Sequence, residues 1–257
     1  MDLRVATLTL ESFLLVLARS GAFMASAPIF SHKAVNTKLR LLIAGCIAIA
    51  LFTSLEVPLP NYTTVLEYTF LIVKEVLVGL SLGFVSNLAM SVLVMAGEFI
   101  DREIGFTMAQ TFDPNTNMSV TITAELYDRV VCLVIMVTNL HYFILLALAE
   151  SFLLVPLGEV KLNLSYLYTE VIGFITQYFA IGFRIAMPVF LAAIMVNCIL
   201  GVLAKSSPQM NMFAVGMQIK VFAGLFILSV CVMFIPNIAN YLMERAREMV
   251  ETLMGGM

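Results

Sequence analysis

The chain has 257 residues, of which 61% are hydrophobic and 12% charged, with a mean hydropathy of +1.00. That composition excludes an ordinary soluble domain and marks a membrane protein. Fourteen Lys and Arg against seventeen Asp and Glu leave a formal charge of -3, which excludes nucleic-acid binding through a basic surface. Cys46, Cys132, Cys198 and Cys231 each sit singly in apolar runs, and the two His residues join no Ser/His/Asp or Glu/His constellation. Disulfide scaffolds, zinc sites and hydrolytic chemistry therefore lack their parts, and the expectation is a non-enzyme without a cofactor.

A membrane helix needs ~20 mostly apolar residues, and six stretches qualify. The first, about Val5–Phe30, contains Ala25-Ser26-Ala27, a small-x-small pattern like a cleavage site. Asp2 and Glu11 oppose the positive start of a secretory leader, and the apolar run continues past Ala27, so a retained helix is expected. The second is Leu39–Leu55. The third, Leu66–Ala96, would measure roughly 45–50 Å at ~1.5 Å per residue against a hydrocarbon core of ~30 Å, so it must tilt, break or project. Gly79, Gly83, Ser86 and Asn87 supply the small and polar groups that close helix packing favours.

Residues 97–129 form the longest polar interval. Gly97, Gly105 and the Asp113-Pro114-Asn115 turn punctuate it, yet Phe106, Met108, Phe112 and Met118 keep it apolar. It reads equally as a loop lining a cavity at membrane depth or as a surface helix and turn. Val130–Val155 reads as the fourth span. Val171–Ala204 is overlong like the third and carries Pro188, which frees the carbonyl of Arg184 and predicts a kink. Ser207-Pro208-Gln209 makes a short turn into the last span, Val215–Ile235, giving a hairpin. The tail, Asn237–Met257, alternates apolar and charged residues as an amphipathic helix does. Continuous apolar runs exclude a β-barrel, whose strands alternate; the fold class is all-α and polytopic.

Glu11, Arg19, Lys74, Glu75, Glu150 and Arg184 fall inside the apolar runs, at ~2.5–3.5 kcal/mol each if exposed at a bilayer centre. Either they form an ion or proton relay, or they pair between helices and snorkel at span ends. Pairing is favoured, because Lys74 and Glu75 are neighbours that do not face each other on a helix. The positive-inside rule, applied to Lys33, Lys38, Arg40, Arg102 and Arg129, favours an outside N-terminus with the first, third and fifth loops cytoplasmic. Seventeen Met residues suit adaptable seals, and Met108 and Met118 flank the loop turn.

The segment Gly97-Glu98-Phe99-Ile100-Asp101, followed by Gly105-Phe106, Phe112-Asp113-Pro114, Asn139-Leu140-His141, Met187-Pro188, Ser207-Pro208-Gln209 and Val215-Gly216, resembles the FliR family over nearly the whole chain. That family supplies the export-gate membrane component of flagellar type III secretion, with an injectisome counterpart, SctT. The resemblance implies assembly with FliP-like and FliQ-like subunits into a gate in the bacterial inner membrane, at the flagellar basal body, surrounded by an FlhB-like subunit. It implies a FliP-like part at 1–168 and a FliQ-like hairpin at 169–257. It also implies that the 97–129 interval enters the pore as a plug carried by Phe106, Met108, Phe112, Asp113, Pro114 and Met118, past which unfolded export substrates move. Glu98 stands where many members have neutral Gln, and Asp101-Arg102-Glu103 adds charge to the approach. The rival readings are a secondary transporter, with Arg184, Pro188, Lys74 and Glu75 at its centre, and a purely structural scaffold.

Overall fold

A computed structural model describes residues 3–28, 30, 35–55, 62–106, 122–160, 164–207 and 211–256, with side chains at 3–6, 164, 212 and 213 left aside. The described chain is helical throughout, without a strand: α1 Leu3–Ser26, α2 Thr37–Ser54, α3 Val65–Ile104, α4 Ile122–Val137, α5 His141–Leu154, α6 Leu164–Ser206, α7 Met212–Cys231, a single 3-10 turn Val232–Phe234, and α8 Ile235–Met254. Local chemistry explains the starts. Asn36 caps α2 by accepting from Lys38 N at 3.2 Å, and Asn211 caps α7 by accepting from Ala214 N at 3.3 Å, as short polar side chains do at helix entry. Glu67, in the first turn of α3, reaches back to accept from the Thr63 amide at 2.6 Å and the Thr64 amide at 3.4 Å, the latter being the reciprocal half of a capping box.

Five described helices are long and apolar enough to cross a membrane: Thr7–Ser26, Thr37–Ser54, Val65–Ile104, Ser165–Ser206 and Ala214–Met254. The pair Ile122–Val137 and His141–Leu154 makes a sixth if counted together. The continuous span expected at Val130–Val155 is thus two helices. They part at Asn139, which takes φ +59°, a left-handed backbone that Asn tolerates better than most residues and that no α-helix can contain. The expected overlength of the third and fifth spans is present, and α3 runs eight residues past Ala96 to Ile104. Through Pro188 α6 continues without a break.

The chain packs as two compact units. The first comprises Met1–Ala89, Asn139–Phe174 and Leu242–Met257, the second Met90–Thr138 and Ile175–Tyr241. In the first unit α1 lies directly on α3. A Cβ at Gly79 would overlap the Arg19 carbonyl, and one at Gly83 would meet the Phe23 carbonyl at 2.8 Å, so only glycine lets the two backbones approach. Around that seam Leu15, Phe23, Val78 and Leu82 are buried. In the second unit α3 continues against α4 and α6: Gly97 backs onto Ala124, the Tyr178 hydroxyl donates to the Ser91 carbonyl at 3.0 Å, and Phe99 meets Phe183 edge-on at 6.4 Å.

Candidate functional site

The interval singled out by its sequence is described at both flanks. Helix α3 carries it from Gly97 to Ile104, and α4 takes it up again at Ile122. Gly105 ends α3 with φ +95°, a conformation in which a side chain is strained, and its N–H donates to the Asp101 carbonyl at 3.0 Å. Phe106 follows, half-buried. The other residues assigned to a plug, Met108, Phe112, Asp113, Pro114 and Met118, lie outside the described residues.

The two flanks are bolted together. The Asp101 side chain, fully buried, accepts from the Thr123 amide at 2.8 Å through Oδ2 and from the Thr123 hydroxyl through Oδ1. The amide belongs to the first turn of α4, where backbone N–H groups lack intrahelical partners and the helix dipole favours a negative charge. One turn earlier on α3, a Cβ at Gly97 would overlap the Ala124 backbone. The end of α3 and the start of α4 are therefore held at the same place. In the sequence Asp101 stands only as part of a charged approach to the loop. The signal available was a carboxylate shortly before a loop whose far side opens on Thr-Ile-Thr-Ala-Glu, a helix-start composition.

The intramembrane charges resolve mostly into pairs within the first unit. Arg19 and Glu75, both fully buried, form an ion pair at 2.6 Å. Arg19 also donates to the Ser151 and Val155 carbonyls at 2.9 and 3.0 Å, the last of which caps α5, and lies 4.4 Å over the Phe152 ring. The second oxygen of Glu75 accepts from the Gly158 amide at 3.0 Å. Lys74, beside Glu75 in sequence, points elsewhere and donates to the Val160 carbonyl at 3.2 Å. Glu150 meets Arg247 of α8 at 3.2 Å. This is a knot that holds α1, α3 and the end of α5, and it contains no ordered succession of groups such as a relay needs. Outside the spans, hydrogen bonding to Glu11 pushes the Tyr62 phenol above its usual range.

Arg184 and Pro188 belong to the second unit, where both are exposed on α6 and border a cavity of about 420 Å³. Of the hairpin turn, Ser207 is described, its N–H donating to the Leu203 carbonyl at 2.8 Å; Pro208 and Gln209 lie outside the described residues. Among the described residues no group of three His, Cys, Asp or Glu side chains could hold a metal ion.

A family model described as "Bacterial export proteins, family 1" matches residues 10–246. The flagellar biosynthetic protein FliR of Aquifex aeolicus is 32% identical over 86% of this chain and 86% of its own length. FliR of Bacillus subtilis is 28% identical over 93% of this chain and 94% of its own. The surface presentation of antigens protein SpaR of Shigella flexneri is 27% identical over 87% of each. These matches run through the bolted loop base and both overlong helices.

Proposed function

We infer the role of this chain from its membership: it belongs to the bacterial export proteins of family 1, the FliR family. It is a multi-pass membrane component of the flagellar type III export apparatus. Beyond that, we propose that it sits in the bacterial inner membrane and assembles with FliP-like and FliQ-like subunits, with an FlhB-like subunit around them, into the gate through which unfolded flagellar proteins leave. In that reading residues 1–168 take the FliP-like place and 169–257 the FliQ-like hairpin. Bare apolar surface supports assembly: α6 and α7 expose Met195 at 66% and Phe222 at 75%, more than a lone soluble surface tolerates and suited to lipid or a neighbouring subunit.

The observation that carries the gate is the clamp of Asp101 on Thr123. A plug has to change position without letting its ends drift, and a loop whose two ends are held by one buried carboxylate meets that need. Phe106, Met108, Phe112 and Met118 supply an apolar constriction, which excludes ions by excluding water. Unbranched Met side chains repack around whatever passes, and Asp113-Pro114 is a turn-favouring sequence. Export energy comes from partner components, and no catalytic step is assigned to this chain.

Deleting residues 112–118 tests the reading. In cells expressing the assembled complex, ion leak across the membrane is expected to rise while the subunit is still incorporated. Incorporation with unchanged conductance would remove these residues from the gate.

A further inference from the structure

Tyr127 stands on α4 one turn beyond Thr123 and is only 2% exposed. Its hydroxyl makes no hydrogen bond with a described residue, although a buried phenol usually finds a partner. Among the described residues, the side-chain atoms that are both closed off and unpaired belong to Glu11, Arg19 and His141. The Tyr127 oxygen is not one of them, so it keeps part of the little surface that the residue has. That surface opens on the cavity of about 420 Å³ that Tyr127 lines within the second unit, a volume inside the range of about 300–1,000 Å³ usual for ligand sites.

The rest of the lining defines what fills it. Buried Leu93, Ile181 and Ile235 form the walls together with Pro188 and Ile238, and apolar walls favour an apolar body. The polar side chains at its border are Tyr127, Arg184, Cys231, Asn237 and Tyr241. Each of these can donate a hydrogen bond and none is a carboxylate, so an occupant gains by carrying an acceptor and loses by carrying a positive charge. Entering an apolar space costs any ion its hydration, which leaves an uncharged acceptor as the better fit.

We propose that this cavity is a binding site for a compact, uncharged, apolar molecule whose carbonyl oxygen accepts from the Tyr127 hydroxyl. A buried donor without an acceptor is costly; such a ligand removes that cost and covers the apolar wall at the same time. The site is independent of the gate.

Benzophenone, two rings about one carbonyl, is a probe of that description, and it reports its own position by crosslinking under ultraviolet light. Native membranes holding the tagged full-length chain are irradiated with it at increasing concentration, and the chain is then isolated, digested and read by mass spectrometry. Saturable labelling is expected within 181–188 and 231–241, the two stretches that supply most of the lining. Tyr127→Phe, which removes the hydroxyl alone, raises the half-saturating concentration about fivefold, and Ile238→Trp, which fills the cavity, abolishes the labelling at an unchanged melting temperature. Labelling that never saturates and spreads evenly over the apolar helices, as dissolved probe alone would give, overturns the proposal. So does unchanged half-saturation in Tyr127→Phe. Membranes in which these two stretches take no label overturn it as well, since a neighbouring subunit or an acyl chain then fills the space.

Discussion

Arg19 makes an ion pair, two carbonyl hydrogen bonds and a ring contact from a position with no solvent access. Removing one member of a buried pair leaves the other charge uncompensated, at about 3–5 kcal/mol, whereas replacing both by apolar groups is often neutral. Glu75→Gln is therefore expected to lower the melting temperature of the detergent-solubilised protein sharply, and Arg19→Met combined with Glu75→Leu to recover most of the loss. A double variant no better than Glu75→Gln alone would show that the hydrogen bonds to the α5 end, and not the paired charges, hold the knot. Arg19→Lys should fall between, because a single ammonium cannot reach the carboxylate and both carbonyls as the guanidinium fork does. The charges themselves were legible in the sequence, as was their preference for pairing. The partner was not: Arg19 and Glu75 stand 56 residues apart, and no local period links them.

Helix α3 gathers two devices that belong to elements and not to single side chains. Its glycine seam with α1 was foreshadowed by the spacing of Gly79 and Gly83, because small residues four apart share one helix face. Gly79→Val is expected to part α1 from α3 and cost about 1–3 kcal/mol or more, read as a loss of folded protein after detergent extraction; full retention of folded protein would show the seam to be loose. At the other end of α3, Asp101→Ala leaves the buried Thr123 amide without its acceptor, at about 1–3 kcal/mol. Asp101→Asn keeps one acceptor oxygen and should cost less, and thermal melts of the pair decide it: equal losses would mean that the negative charge, and not the hydrogen bond, secures α4. The break at Asn139 was missed because hydropathy runs unchanged from Val130 to Val155 while the interruption is a single left-handed residue. Beyond Ala96 the sequence leaves loop and helix equally open, since Glu98, Asp101, Arg102 and Glu103 lower hydropathy without ending helical order.

At the scale of the whole molecule, sequence gave away the class, the overlong helices and the family, because apolar run length and the ordered short motifs survive without tertiary information. The interleaving of three chain segments in the first unit and two in the second was hidden, since long helices belong to both. The apolar faces of α2, α6 and α7 leave Leu41, Met195 and Phe222 largely uncovered, a surface suited to lipid or to the proposed neighbouring subunits. A transporter reading would place its chemistry on Lys74, Glu75 and Arg184, but the first two are committed to structural contacts.

The proposed gate is assembled from several kinds of subunit. Affinity isolation of the tagged chain from native membranes in mild detergent, followed by mass spectrometry of everything retained, tests it most directly. FliP-like and FliQ-like subunits are expected to come with the chain in fixed proportion. A chain recovered alone, as a monomer or homodimer that binds a small solute, would contradict it.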